Sequence, residues 1–203
     1  MNDVTVVSIG QLSGGKRRLQ LDNGEIWVLY RGELRECALS EGTRLSLAQY
    51  EQIRHEIIGK RAKKRAMHLL EKMDRTEQAL RKKLLEGEYP EDLVEEAIAY
   101  VKSFHYLDDE RYADCYVRLH GESKSRGKLL MELQQKGVDR ELADRVLEQY
   151  EEARDETQMI RLLLQKRHYD PKTATVQEQR RMYGYLVRRG FQSTDICRLL
   201  FES

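Results

Sequence analysis

The segment YLDDERYADCYVRLHGESKSRGKLLMELQQKGVDRELADRVLEQY, residues 106–150, predicts three short helices in succession. Asp108 is a candidate N-cap of the first helix, because its carboxylate can accept hydrogen bonds from the free backbone N–H groups of the first turn. Gly137 is typical of a helix end, and Asp139 is a candidate cap for the third helix. Helices this short bury little apolar area alone, so we expect them to pack on one another as a three-helix module.

The buried faces of these helices are predicted from apolar residues spaced three and four positions apart. The predicted faces are Tyr112, Cys115, Tyr116 and Leu119 in the first helix, Leu129, Leu130 and Leu133 in the second, and Leu142, Val146, Leu147 and Tyr150 in the third.

The module recurs before and after this segment, with turn residues as well as leucines in register. Leu84, Leu133 and Leu186 occupy equivalent positions, 49 and 53 residues apart by subtraction. A period near ~50 residues indicates an array in which each unit buries a face against its neighbour. Chance alignment of amphipathic helices is the alternative. The sequence therefore predicts a mainly α fold, with tandem three-helix repeats that form a curved elongated array.

The first part of the chain is different and predicts a small β-hairpin region. Valines and Ile9 indicate one strand, and the runs 18–21 and 26–30 indicate two more across Asn23-Gly24, a strong hairpin signal. Trp27 and Tyr30 either pack on the helices or contact a partner. We expect an extension at residues 1–45, a first repeat with a leading helix at 46–104, a second repeat at 105–152 and a third at 153–203.

Several residues predict where other helices begin. Ser46 is a candidate cap for the leading helix, and Gly59 is expected to weaken that helix before the basic run that follows. Pro90 is expected at the first helical position of the first repeat's third helix. The segments 155–158 and 175–178 resemble capping boxes.

The composition argues for a soluble, cytoplasmic protein without catalytic chemistry. The charged fraction is 35%, and no apolar run is long enough to cross a membrane. Cys37, Cys115 and Cys197 are far apart, and we expect the last two to be buried reduced thiols on apolar helix faces. The histidines show no metal-ligand spacing, and the chain has no phosphate loop or nucleophile elbow. We therefore predict no metal, no cofactor and no enzymatic activity.

The net charge of +1 hides a strong segregation of charge along the chain. Residues 54–83 contain eleven Lys or Arg against four Asp or Glu, and residues 86–114 contain ten acidic against two basic residues. Residues 161–189 are basic again, with eight against two. Such runs are either solvated helix faces or separate faces for separate partners.

Three segments of the sequence resemble the RecX family of bacterial regulators. They are YLDDERYA at 106–113, GKLLMELQQKGV at 127–138 and YLVRRGF at 185–191. The resemblance spans about residues 60–203, and the segment 121–127 departs from the family pattern. It implies tandem three-helix repeats and a monomeric regulator of recombination, DNA repair and the SOS response. It also implies that the protein binds the RecA recombinase filament and inhibits its ATPase, strand-exchange and co-protease activities.

Within that resemblance, the two basic regions are the candidate contact surfaces for acidic filament surface or for DNA phosphate. The candidate residues are Lys60, Arg61, Lys63, Lys64 and Arg65 in the first region and Arg180, Arg181, Arg188 and Arg189 in the second. The alternative interpretation is a direct DNA-binding regulator, since three-helix modules also present recognition helices to the major groove. The expected partners are therefore the RecA filament and, in the alternative, single- or double-stranded DNA. A generic helical-repeat adaptor is a third alternative.

Overall fold

A computed structural model describes residues 3–150 and 155–201 of the chain. The fold is mainly helical, with three tandem three-helix repeats after a small strand region, as predicted. It divides into two compact units, Met1–Asp108 and Asp109–Ser203. The boundary predicted after residue 152 lies outside the described residues. No helix in the described parts of the chain has the length and apolar character needed to span a membrane.

The N-terminal region contains a four-stranded antiparallel sheet with the order β3-β2-β1-β4. The Asn23-Gly24 turn joins β2 to β3 as predicted, and Gly24 has a φ of +88° that favours glycine. We expected two or three strands; the fourth was missed because it is only two residues long. The strands are β1 (Val4–Gln11), β2 (Lys16–Leu21), β3 (Ile26–Tyr30) and β4 (Arg44–Leu45).

Helical structure begins directly after the sheet. Ser46 caps α2 as predicted, because its side chain accepts a hydrogen bond from the Gln49 N–H. Gly59 does not interrupt this region; it keeps helical angles at the end of a π-helical segment that leads directly into α3. The elements are α1 (Arg31–Glu36), α2 (Leu47–Gln52), the π-helical segment Ile53–Gly59 and α3 (Lys60–Lys72).

One core joins the sheet to the helices that follow it. Trp27 is fully buried there, its ring centroid lies 5.2 Å from that of Tyr50, and its Nε1 donates to Glu25 over 3.0 Å. Trp27 therefore packs in the core, whereas the Tyr30 side chain remains 41% exposed. Leu93 of the first repeat belongs to the same core, so the sheet is built onto that repeat.

Each repeat encloses a separate core of mostly aliphatic side chains. The first repeat consists of α3, α4 (Glu77–Leu85) and α5 (Glu91–Ser103). The second consists of α6 (Asp109–His120), α7 (Arg126–Gln135) and α8 (Arg140–Glu148), and the third of α9 (Glu156–Lys166), α10 (Val176–Arg188) and α11 (Ser193–Phe201).

Helix caps explain most of these boundaries. Asp139 accepts hydrogen bonds from two backbone N–H groups of α8, and Thr175 forms a capping box with Glu178, as predicted. Asp155 caps α9 by accepting from the Gln158 N–H over 3.1 Å. Pro90 is displaced by one residue from the prediction, because it is the N-cap of α5 and not its first helical residue.

The predicted buried face of α6 was wrong in two of its four residues. Tyr112 and Tyr116 pack against the core of the second repeat, but Cys115 and Leu119 do not. Ala113 and Val117 are buried, while Leu119 is 79% exposed and Cys115 is exposed. The helix is therefore rotated relative to the prediction, with Ala113 and Val117 in the core. Cys197 is also exposed, since its neighbour Ile196 faces the core. The prediction that both thiols are buried was therefore wrong.

Candidate partner-binding sites

The basic run at the start of α3 does not form a single basic face. Successive helical residues point about 100° apart, so its five cations project in different directions. Arg61 and Arg65, one turn apart, both lie beside the sheet and line a common pocket. Lys63 lies instead near α5, where its Nζ is 3.4 Å from Glu96 and 5.9 Å from the Tyr100 ring centroid.

Arg61 is committed to contacts within the protein. Its Nη1 donates to Glu33 over 2.5 Å, and its Nη2 donates to the backbone carbonyl of Val28 on edge strand β3. The guanidinium carbon lies 5.3 Å from the Tyr30 ring centroid and 5.6 Å from that of Tyr89. Only 18% of the Arg61 side chain is exposed. Arg61 therefore fixes the sheet onto the first repeat, and its predicted partner contact stays a prediction.

A concave pocket of about 420 Å³ lies beside Arg61, between strands β2 and β3 and helices α3 and α4. We call it the sheet–helix pocket. The lining residues that matter here are Lys16, Tyr30, Arg61, Arg65, Lys83, Glu86 and Tyr89.

The charges in this pocket are only partly compensated. Lys83 donates to Glu86 over 2.6 Å, which holds the pKa of the Glu86 carboxyl below its usual value. Lys16 lies with its Nζ 5.8 Å from the Tyr30 ring centroid. Within the residues that the structure describes, neither Lys16 nor Arg65 forms an ion pair with a carboxylate. These two cations are therefore available to an external anion.

The other two lysines of the run differ in their local pairing. Lys60 forms an ion pair with Glu56, one turn earlier, at 2.5 Å. Lys64 is exposed, and it has no ion-pair partner in the described parts of the chain. Exposed pairs such as Lys60–Glu56 contribute little to stability, so both lysines are accessible to a partner.

The acidic stretch after α4 pairs with arginines on both sides of the basic run at 60–65. Arg81 binds Glu95 through two hydrogen bonds of 2.7 and 2.8 Å and Glu77 through one of 2.9 Å. Arg54 binds Asp92 over 2.7 Å in the same way. The charge segregation along the chain is therefore partly internal pairing between neighbouring helices, and not only separate faces for separate partners.

Helix α10 of the third repeat presents basic side chains that lack such pairing. Arg180, Arg181 and Arg188 are exposed, and none of them forms an ion pair with a carboxylate among the described residues. Arg181 and Arg188 are seven residues apart, which places them on the same side of the helix two turns apart. The predicted cations of α10 thus form an exposed surface without ion pairs among the described residues, which we call the α10 basic surface. Glu178, one turn before Arg181, offsets part of its charge, and Arg181 in turn helps to lower the pKa of the Glu178 carboxyl.

Arg189 differs from the other three arginines because it packs on an aromatic ring. Its guanidinium carbon lies 4.0 Å from the Tyr185 ring centroid, and that of Arg167 lies 4.3 Å from the same centroid. The Tyr185 ring also lines a pocket of about 360 Å³ together with Arg181 and Tyr169. Burial raises the pKa of the Tyr169 hydroxyl, and Glu178 adds to that effect.

The end of α10 docks onto the second repeat. The Ser125 N–H donates to the Arg189 carbonyl over 3.0 Å, and Gly190 follows with a φ of +86°. A Cβ on Gly190 would lie 2.6 Å from both the Ser125 Oγ and the Lys128 Cβ. The α10 basic surface is therefore held in a defined position relative to α7.

The sequence did not identify Lys16 as a site residue. Its contribution follows from the hairpin register, in which Lys16 lies opposite Tyr30. The Asn23-Gly24 turn fixes that register, so the position of Lys16 could have been derived from the sequence. The position of Arg65 beside Lys16 could not have been derived from the sequence, because it depends on how α3 packs on the sheet.

The chain matches three models of the RecX family in the expected order. The first three-helix domain matches residues 62–101, the second matches 108–147 and the third matches 154–200. These ranges correspond to the three helical repeats described above.

Individual relatives agree with the family models. The regulatory protein RecX of Trichlorobacter lovleyi is 37% identical over 142 residues, which cover 68% of this chain and 91% of that protein. The regulatory protein RecX of Caldanaerobacter subterraneus subsp. tengcongensis is 30% identical over 163 residues, 80% of each protein. A crystal structure of regulatory protein RecX has the same fold, with a TM-score of 0.57 and 24% identity over 97% of this chain and 98% of that one.

Proposed function

The chain belongs to the RecX family, and on that basis we propose that it is a non-enzymatic regulator of the RecA recombinase. In this proposal it binds the RecA filament and inhibits its ATPase, strand-exchange and co-protease activities. It thereby modulates recombination, DNA repair and the SOS response. It acts as a monomer in the cytoplasm, where the recombinase works.

The α10 basic surface is the observation that carries this proposal. Carboxylates of α5 neutralise Arg81 of the first repeat and Arg54 of the π-helical segment before it. Arg180, Arg181 and Arg188 form no such ion pair within the described residues. Exposed guanidiniums that are not paired internally favour binding to carboxylate or phosphate groups of a partner. The surface therefore suits acidic protein surface or DNA phosphate along a nucleoprotein filament.

Tandem repeats also suit a filament as a target. Each repeat has its own core and its own outward-facing helices. Surfaces on successive repeats would contact more than one RecA protomer, and such bridging would lock the filament or block its growth. Either effect suppresses ATP turnover in a cooperative assembly.

The test is charge reversal on α10, with Arg180→Glu and Arg188→Glu combined. Arg189 is left intact because it packs on Tyr185. The matched control reverses Lys166 and Lys172, which are exposed cations of the same repeat outside α10. We expect the α10 variant to lose inhibition of DNA-stimulated RecA ATPase, and the control to retain it. Equal inhibition by both variants, with unchanged circular dichroism, would remove the α10 basic surface from the proposal.

A direct DNA-binding regulator is the second candidate function. The observation that favours it is the sheet–helix pocket, in which cations lie beside tyrosine rings. The overall charge of +1 is low for a protein that acts on DNA alone. Sequence-selective binding to duplex DNA without RecA, together with no effect on RecA ATPase, would favour this candidate.

A further inference from the structure

The sheet–helix pocket gathers cations from three separate elements of the N-terminal unit. Lys16 comes from the start of β2, Arg61 and Arg65 from α3, and Lys83 from the end of α4. Such convergence brings positive charges close together, which costs electrostatic free energy in the absence of an anion.

Internal carboxylates offset only part of this charge. Glu33 neutralises Arg61 at 2.5 Å, and Glu86 neutralises Lys83 at 2.6 Å. Lys16 and Arg65 remain without a carboxylate partner in the part of the chain that the structure describes. The pocket therefore has about two positive charges in excess, and this excess lies in a concavity and not on an open helix face.

The geometry of these groups favours a phosphate over a single carboxylate. A guanidinium fork and an ammonium offer several donors in different directions, and a phosphate has enough oxygen atoms to accept from both. The volume of about 420 Å³ falls in the range of small-molecule sites. Tyr30, which is 41% exposed, and Tyr89 supply aromatic walls beside the cations.

We propose that the sheet–helix pocket binds a phosphate group, carried by a nucleic-acid strand or by a free nucleotide, with Lys16 and Arg65 as its principal ligands. The N-terminal sheet then supplies half of a binding site in addition to stabilising the first repeat. This inference goes beyond the proposed regulation of RecA, because binding in the pocket requires no recombinase. It deepens the second candidate function, because it names the residues that bind the phosphate.

The experiment measures binding by the full chain without RecA. Fluorescence anisotropy with a labelled oligo-dT strand tests whether the pocket binds the phosphates of a nucleic-acid strand. Calorimetry with ATP and with inorganic phosphate tests whether it binds a free nucleotide or phosphate. The variants are Lys16→Gln combined with Arg65→Gln, Glu86→Gln, and Lys72→Gln as control. Lys72→Gln removes one positive charge from the opposite end of α3, where Lys72 is exposed and does not line the pocket. Trp27 fluorescence and thermal unfolding check that each variant is folded.

The double variant is expected to weaken binding about tenfold or more, and Lys72→Gln by less than about twofold. Glu86→Gln is expected to tighten binding, because it removes the negative charge of the lining and releases Lys83. The dependence on salt should also fall by about two counterions in the double variant. This pattern with oligo-dT assigns the pocket to a strand, and the same pattern with ATP or phosphate alone assigns it to a free nucleotide.

Two results would overturn the proposal. One is that no probe binds the wild-type protein, or that the folded double variant binds every probe as tightly as Lys72→Gln does. The other is that the double variant loses RecA inhibition while all phosphate probes bind normally, which would assign the pocket to an acidic protein segment. Reversal of Arg180 and Arg188 tests the proposed function separately, so failure of one does not imply failure of the other.

Discussion

Replacing Gly190 with alanine tests how the third repeat is joined to the second. Gly190 has a φ of +86°, and its position is packed against the start of α7. The added Cβ would lie 2.6 Å from the Ser125 Oγ and 2.6 Å from the Lys128 Cβ. Neither atom moves easily, because Ser125 caps α7 by accepting from the Lys128 N–H over 3.2 Å, and the Lys128 Cβ is attached directly to the backbone.

Two contributions set the expected loss of stability. The left-handed backbone conformation costs an alanine about 1–2 kcal/mol relative to glycine. Relieving the overlap costs about 1–3 kcal/mol more, either by shifting the third repeat or by rotating Ser125 out of its cap. We therefore expect Gly190→Ala to lower the free energy of unfolding by about 2–5 kcal/mol.

Two control variants separate these contributions. Gly24→Ala has a φ of +88° but no atom within 4 Å of the added Cβ, so it should cost only the backbone strain. Gly127→Ala has neither strain nor contact, and its effect should stay within about 1 kcal/mol. Urea unfolding followed by circular dichroism gives the three values, and hydrogen exchange shows whether α10 and α11 lose protection. If Gly190→Ala costs no more than Gly24→Ala, the close approach between the two repeats is refuted.

Three further predictions concern the N-terminal unit. Arg81→Met should lower the free energy of unfolding by about 1 kcal/mol near neutral pH, measured in urea. Hydrogen bonds from Lys102 to Glu77 and from Arg81 to Glu95 hold the pKa of each carboxyl below its usual 4.5. The difference in unfolding free energy between wild type and Arg81→Met should therefore shrink as the pH falls through the lowered pKa values. A difference that stays constant with pH would contradict this assignment. Trp27→Ala should cost about 3–5 kcal/mol by circular dichroism, because the side chain is fully buried; a loss below about 1 kcal/mol would disagree with that burial. Arg61→Met should cost about 1–3 kcal/mol and speed hydrogen exchange in β3, whereas unchanged exchange would show that Arg61 does not hold that strand.

Local signals in the sequence predicted much of the fold correctly. The Asn23-Gly24 turn fixed the hairpin, and the caps at Ser46, Asp139 and Thr175 fixed the starts of three helices, because each signal acts within a few residues. Strand β4 was not predictable in this way. It consists of two residues that pair with β1 residues about 40 positions earlier in the chain, so its existence depends on tertiary structure.

The wrong helix face of α6 has a similar cause. Both the set that includes Cys115 and Leu119 and the set that includes Ala113 and Val117 fit a helical period. The choice depends on the space between helices, where the small Ala113 allows close packing and is fully buried. Periodicity alone cannot distinguish these two sets, which lie about 160° apart around the helix axis, on either side of Tyr112 and Tyr116.

The sequence located the basic regions, but it could not show which of their cations are free to bind a partner. Charge counts identified both basic regions, yet they could not show that Arg61 binds Glu33 or that Arg81 binds Glu95. Those pairs join residues from different elements, so only the packed structure separates internally paired cations from exposed ones. The packed structure is likewise needed to show that Lys16 and Arg65 line the same pocket.

Titration of this protein into DNA-stimulated ATP hydrolysis by the cognate RecA, at about 50 mM and about 200 mM salt, shows whether the chain regulates the recombinase filament. Our account predicts inhibition well below one molecule per RecA protomer, because each molecule acts on a filament and not on a single subunit. It also predicts weaker inhibition at the higher salt, because the contacts depend on charge. No inhibition at either salt, or inhibition only at equimolar amounts and independent of salt, would contradict the account.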